Sequence, residues 1–365
     1  MKVIAIANQK GGCGKTTTAI NLSSALSHNG KRVLLLDLDP QAHATLGLDI
    51  KSQDSIYNVI SQLTPRKLKV ENIIKRVEDS FDLIPSNVLV GTLEQELANE
   101  IGRELKLSQA VSSIKDKYDY TIIDCPPSLG ILTVNAIRLS DELIIPVETS
   151  RFSLQGVTHL MDIVMLIRER LGHDVRCRVL VTMFDSRLRH SFSMLSTFKK
   201  NFEGFLLDTI IHVNVKLKES AVYGKTVSAY DKYCRGSKDY NTLAKEIIFE
   251  AKQPIEANDK EALHVMSEKM QGLIKEETKS LLSYKFTLDA AEAKAVYVTG
   301  SFNDWSLDDK CRLVNKNGKW EGEMVLKPGI YEYQFIVDGV WQEDPGNPRK
   351  TRNSFGDINS LLEIG

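Results

Sequence analysis

The segment Lys10-Gly11-Gly12-Cys13-Gly14-Lys15-Thr16-Thr17 lies between a short apolar run, VIAIA (3–7), and an amphipathic stretch over 15–28. A glycine-rich turn leaving a strand and opening a helix constrains the chain more than any other feature. Glycine lets successive backbone N–H groups turn toward one point, and the helix N-terminus adds a positive partial charge there. The result is an anion cradle. Lys15 supplies a point charge to the β- and γ-phosphates of a nucleotide, and the Thr16 hydroxyl is placed to ligate Mg²⁺. The expected phosphate-contacting set is therefore Lys10, Gly11, Gly12, Cys13, Gly14, Lys15, Thr16 and Thr17.

Four more apolar runs follow: VLLLD (33–37), YTIID (120–124), ELIIPV (142–147) and RVLVTMF (178–184). Each is short and apolar throughout, the pattern of a strand buried on both faces of a parallel sheet. Helical periodicity over 15–28, 92–117, 153–171, 190–202 and 237–250 alternates with them. The predicted fold is α/β, a doubly wound and mostly parallel sheet. KQPIEAN (252–258) ends this pattern, and Leu263, Met266, Met270, Leu273 and Leu281 predict a helix over 259–282. Beyond it, Asn317-Gly318, Pro328-Gly329 and Asp338-Gly339 punctuate aromatic-rich runs, which predicts an all-β, immunoglobulin-like sandwich. The expected domains are 1–250, a linker helix within 251–283, and 284–365.

No apolar run approaches the ~20 residues needed to cross a bilayer, and no signal peptide is legible, so a cytoplasmic chain without a membrane partner is expected. Five cysteines are scattered with no C-x-x-C pair, which argues for reduced thiols and against a disulfide framework or a zinc site.

Two carboxylate segments accompany the loop: Asp37-Leu38-Asp39-Pro40-Gln41 and Ile122-Ile123-Asp124-Cys125-Pro126-Pro127. An aspartate closing a parallel strand stands at the sheet edge where ligands bind. The ordinary phosphate loop has glycine five residues before Gly14; here Gln9 holds that place, with Lys10 beside it. This arrangement resembles the deviant Walker A motif of the ParA/MinD/Soj family. Thr182–Arg187 and Asn214–Ser220 extend the resemblance, while His212 stands where the family usually has proline. The resemblance implies an ATPase using ATP and Mg²⁺, slow and stimulated by a ParB-like partner. It implies a nucleotide-sandwich homodimer in which Lys10 reaches the partner's phosphates, with Lys10, Lys15 and Asp39 as the catalytic set and Asp39 orienting the attacking water. Thr16, Asp37 and Asp124 would serve the metal. A mild basic excess over residues 1–250 suits nonspecific contact with the DNA backbone and a nucleoid association. The candidates are Arg187, Arg189, Lys199, Lys200, Lys216 and Lys218.

Residues 285–365 carry Val298–Trp305, Tyr333–Trp341 and Phe355–Asn359. They resemble the glycogen-binding module of the AMP-activated kinase β subunit and of branching enzymes. The resemblance implies an α-glucan partner, with Trp305 and Trp341 stacking on sugar rings, Phe355 packing against the glucan, and Asn359 hydrogen-bonding its hydroxyls. Gln334, where kinase subunits often carry a lysine, is also expected to bind the glucan, donating to a hydroxyl without charge assistance. Trp320 is expected in the core. The leading functional expectation is an ATP-driven switch that positions or partitions a cargo. The alternative is a glucan-targeting or sensing adaptor whose ATPase domain acts as a nucleotide-gated scaffold.

Overall fold

The computed structural model describes residues 1–149, 153–251, 263, 265, 268–269, 271, 282–303, 305–307, 311–326, 329–352 and 358–364. The chain divides into two compact units, Met1–Gln271 and Gly272–Gly365.

The first unit is built on eight strands: β1 (Lys2–Ile6), β2 (Val33–Asp37), β3 (Lys75–Glu78), β4 (Phe81–Ile84), β5 (Tyr120–Asp124), β6 (Glu142–Glu148), β7 (Arg176–Phe184) and β8 (Leu206–His212). Their order in the sheet is β3-β4-β2-β5-β1-β6-β7-β8, parallel except for the β3–β4 pair. The helices in chain order are α1 (Lys15–His28), α2 (His43–Leu46), α3 (Tyr57–Ile60), α4 (Leu93–Glu96), α5 (Lys106–Ala110) and α6 (Ile131–Leu139). There follow α7 (Ser153–Leu171), α8 (Arg189–Asn201), α9 (Val215–Val222), α10 (Val227–Tyr230) and α11 (Arg235–Glu250). The five apolar runs all became strands. Three strands escaped the reading because β3 is polar and β4 and β8 break their apolar pattern with Asp82 and Asp208.

The helix predicted over 92–117 is instead broken into α4, α5 and flanking tight turns. Gly102 adopts a left-handed φ of 70° in its middle, which an uninterrupted helix cannot accommodate. The linker helix predicted over 259–282 falls mostly outside the described residues.

Two facts position the site. The central strands end together, since Asp37 of β2 is the register partner of Asp124 of β5. Helix α1 packs against the sheet through Ala19, Leu22 and Leu26, all buried with Ile4, Ile6 and Ile122 in one apolar core. The edge strand β8 is protected by carboxylates from α11: Glu246 accepts from the Asp208 and Thr209 amides, and Asp239 from the His212 amide. An edge strand with its amides satisfied is a poor template for another chain.

The second unit is all-β: β9 (Leu282–Asp289), β10 (Val296–Gly300), β11 (Val314–Lys316), β12 (Lys319–Leu326), β13 (Gly329–Val337), β14 (Val340–Gln342), β15 (Lys350–Arg352) and β16 (Ile358–Ile364). One sheet runs β10-β13-β16-β15 with β14 on β13; the other runs β11-β12-β9. Asn317-Gly318 and Asp338-Gly339 have φ of 56° and 89°, and 48° and 88°, as tight two-residue hairpins require. Trp320 is buried with Phe286, Tyr333 and Phe335, and its indole N–H donates to the Ala290 carbonyl at 2.9 Å.

Candidate functional site

A cleft of about 740 Å³ opens at the C-terminal ends of the central strands. Gly11, Gly12, Gly14, Lys15, Thr16 and Thr17 form its floor, and Asp39 and Pro127 face it from the two loops that follow β2 and β5. The glycine turn requires its glycines: Gly12 and Gly14 have φ of 76° and 88°, a region where a side chain is strained. The turn is pinned from β7, where the Thr182 hydroxyl donates to the Cys13 carbonyl at 2.8 Å. Cys13 itself is buried, and burial pushes its thiol upward, away from thiolate chemistry.

The two lysines behave differently. The Lys15 ammonium donates to the Lys10 carbonyl at 3.0 Å and is 8% exposed, so it already lies inside the loop. The Lys10 ammonium forms an ion pair with Glu148 at the end of β6, and both side chains are about one-quarter exposed. Lys10 is therefore held within its own chain here.

Three aspartates crowd the strand ends. Asp37 is fully buried and accepts from the Thr45 amide at 2.8 Å and hydroxyl at 2.7 Å. Burial pushes its pKa up to about 7 against those hydrogen bonds. Asp39 accepts from the Gln41 amide at 2.9 Å and lines the cleft. Asp124 is fully buried, and neither carboxylate oxygen has a hydrogen-bond partner among the described residues. Burial and the neighbouring Asp37 raise its pKa, while the nearby Thr16 hydroxyl and Lys15 charge pull the other way. A buried carboxyl at the strand end beside an anion cradle can offer an oxygen to a cation. No cluster of three or more metal-ligating side chains occurs among the described residues. That is compatible with Mg²⁺, which keeps waters and phosphate oxygens and needs only one or two protein groups. Asp124 and Thr16 are the residues able to hold it; the Asp37 carboxylate is already committed to Thr45.

Apart from Leu217, which lies in the Asn214–Ser220 segment, several cleft residues were not legible beforehand. Leu46, Leu217, Ala221 and Val222 supply an apolar wall, and Lys225 stands beside it. They come from α2, α9 and the turn after it, brought together only by the fold. His212 is not among the lining residues; its ring is paired with Asp239 at 2.9 Å.

The six basic candidates do not form one uniform patch. Arg187 is bound to Asp185, and Lys216 to Glu219, so each carries a compensating carboxylate. Arg189, Lys199, Lys200 and Lys218 are exposed and have no ion-pair partner among the described residues. Arg189 begins α8, whereas Lys199 and Lys200 lie in its last turn.

In the second unit the structure brings Trp305 and Trp341 together, with ring centroids 6.2 Å apart and planes at 42°. Register places Gln334 and Asn359 on the same sheet face as Trp341, opposite the core. Neither is free on the surface. The Gln334 amide donates to the Ile358 carbonyl at 2.7 Å. Asn359 is 1% exposed and donates to Glu332 at 2.7 Å, a neighbour that sequence reasoning missed. Asn359, expected to hydrogen-bond sugar hydroxyls, is thus buried and bound to Glu332 in this structure. Phe355 lies outside the described residues.

This sheet, its glycine turn and its strand-end carboxylates define a P-loop nucleotide-binding protein. Known proteins narrow the class. A family model described as an AAA domain matches residues 1–177, and one described as the glycogen recognition site of AMP-activated protein kinase matches 283–365. The sporulation initiation inhibitor protein Soj of Bacillus subtilis is 42% identical over 248 residues, covering 67% of this chain and 98% of Soj. The chromosome partitioning protein ParA of Myxococcus xanthus is 36% identical over 249 residues, covering 68% of this chain and 88% of that protein. The chain belongs to the ParA/Soj family of P-loop ATPases, with a C-terminal segment of the glycogen-recognition type. Among solved structures, cobyrinic acid a,c-diamide synthase from Mycobacterium smegmatis, with bound ATP analogue and magnesium, superimposes with a TM-score of 0.60 at 28% identity, covering 69% of this chain and 96% of that one. A putative plasmid partition protein from Borrelia burgdorferi bound to AMPPNP gives 0.58 at 25%, covering 68% and 99%. No helix among the described residues is long and apolar enough to cross a membrane.

Proposed function

We propose that the chain is an ATP-dependent dimerising switch that positions or partitions a cargo, residues 1–250 forming the switch and 284–365 a glucan-recognising module. The observation that carries the reading is the pairing of a phosphate cradle with Asp124, a fully buried carboxyl beside Thr16 and Lys15 at the end of β5. The amides of Gly11 to Thr17 and the Lys15 ammonium bind and orient the phosphates. The apolar wall of Leu46, Leu217 and Val222 suits a flat base. Asp39, at the cleft, orients the attacking water. Mg²⁺ held by Thr16 and Asp124, when bound, offsets charge on the phosphates. Lys10 leaves Glu148 and serves the partner subunit's phosphates, as a cation supplied in trans.

The reading extends to slow hydrolysis stimulated by a ParB-like partner and to a cytoplasmic, nucleoid-associated dimer. Nonspecific DNA contact then runs through Arg189, Lys199, Lys200 and Lys218, with Arg187 and Lys216 weakened by their carboxylates. The second reading, a glucan-directed adaptor with a nucleotide-gated scaffold, is favoured by the close Trp305–Trp341 pair.

The test is light scattering with and without ATP. Wild type should double in mass with ATP, and Lys10→Ala should stay monomeric while still binding nucleotide; an ATP-dependent dimer of the variant would defeat the proposal. DNA retention that rises with ATP and falls with salt, and glycogen retention that needs Trp305 and Trp341, separate the two readings.

A further inference from the structure

The segment from Ser86 to Glu96 touches both loops that flank the cleft. At one end the Ser86 hydroxyl donates to the Asp39 carbonyl at 2.6 Å. In its middle Gly91 lies against Pro40, where an added Cβ would come within 3.4 Å of the ring. At its other end, Glu94 of α4 reaches across 37 residues of sequence to the start of α6. Its carboxylate accepts from the Ile131 amide at 2.8 Å and the Leu132 amide at 3.3 Å. Gly130, which precedes α6, provides no cap through a side chain, and a Cβ there would sit 2.4 Å from the Glu94 carboxylate. Helix N-termini leave their first amides without intrahelical partners, and a carboxylate satisfies them and the macrodipole together. Glu94 therefore caps α6 from outside, and the loop it secures, Cys125–Gly130, runs directly from Asp124.

We infer that Glu94 is a positioning residue for the hydrolytic reaction: by capping α6 from α4 it fixes the loop after Asp124 and ties that loop to the Asp39–Pro40 segment. The inference rests on the ATPase reading of the cleft. Its physical content is a division of labour. The phosphate cradle belongs to the turn before α1 and does not depend on Glu94, so nucleotide affinity is independent of it. The alignment of the two loops does depend on it, so turnover is not. Glu96, on the same short helix, accepts from the Ser61 hydroxyl and the Gln62 and Leu63 amides, which anchors α4 from its other side.

The experiment uses the full chain with MgATP. Glu94→Ala should lower kcat by about five- to thirtyfold, the loss of one charge-assisted cap, with nucleotide affinity changed by less than about twofold. Amide hydrogen exchange at Ile131 and Leu132 should quicken. Glu94→Gln, which keeps an acceptor, should recover part of the rate. Gly130→Ala displaces the carboxylate without removing it and should give the same phenotype, and the double variant should be no worse than either single one. Unchanged kcat in Glu94→Ala despite faster exchange at Ile131 would overturn the inference, as would parallel losses of nucleotide affinity and rate. If wild type itself hydrolyses no ATP, the ATPase reading fails first and the positioning role falls with it.

Discussion

At the strand ends beside the nucleotide cleft, Asp37 and Asp124 are wholly buried, whereas in the C-terminal unit Trp341 stands 47% exposed on a sheet face. The strand-end carboxyls are held in a state that costs the free protein stability, because burial disfavours their ionised form. The aromatic face carries no such load; an exposed ring costs little until a ligand covers it. Substitutions in the cleft should therefore move stability and function in opposite directions, and substitutions on the aromatic face should move function alone.

The largest expected effect tests the first half of that contrast. Asp124→Asn removes a buried ionisable carboxyl while keeping the shape of the side chain. ATP hydrolysis should fall by about a thousandfold or more as the magnesium site is lost. The nucleotide-free protein should become more stable by about 1–3 kcal/mol, read by urea denaturation. A loss of stability alongside the loss of activity would break the comparison.

The pH dependence should show the same burden. The folded-state pKa of Asp37, about 7, lies above the ordinary value near 4. Between those values the native state holds a proton that the unfolded state has released. Stability from this group is therefore full at the acid end of the window and is lost as pH rises through 7. Denaturation midpoints of the nucleotide-free protein should fall from pH 5 to pH 7.5, by roughly 1–3 kcal/mol in free energy, and Asp37→Asn should flatten the slope. Asp119 and Asp185, held near 2 by Arg32 and Arg187, act in the opposite sense only below that range.

What could be read from the amino-acid sequence follows the same division. The cleft's floor is contiguous in the chain, and Asp37 and Asp124 each end an apolar strand, so local pattern sufficed to place Lys15 in the glycine turn and the two aspartates at the strand ends. The wall formed by Leu46, Leu217 and Val222 was hidden, because Leu46 on α2 and Leu217 and Val222 on α9 are far apart in the chain, and nothing in the Asn214–Ser220 pattern showed which of its side chains turns to the cleft. So was Glu94: the predicted helix over 92–117 gave it no special place, and only the breakage at Gly102 and the packing of α6 reveal its contact. In the second unit, Trp305 and Trp341 were legible as a pair, but the burial of Asn359 behind Glu332 was not, since alternation along a strand fixes the face and not the depth.

A smaller effect is expected at the margin between the two kinds of site. The Lys10–Glu148 ion pair is about three-quarters buried on each side, and a pair of this kind contributes about 1 kcal/mol or less. Glu148→Gln should thus barely change thermal stability. It should lower the ATP concentration for half-maximal dimerisation by about two- to fivefold, because one of the internal contacts from which Lys10 has to be withdrawn is weakened. A raised ATP requirement would indicate that Glu148 supports the dimer instead of competing with it.

The smallest change in stability belongs to Trp341→Ala. Its ring is half exposed, sits on a three-residue strand, and meets Trp305 at a tilt instead of packing into the core. Denaturation of the full chain should shift by no more than about 0.5 kcal/mol. Retention on maltoheptaose should still weaken about three- to tenfold, the worth of one aromatic stacking contact. Both numbers are needed, since weaker retention with a matching loss of stability would mean only that the sheet had loosened. An unchanged affinity with unchanged stability would leave Trp341 an exposed ring without a sugar to cover it, and the second unit would then have to act through its protein surface.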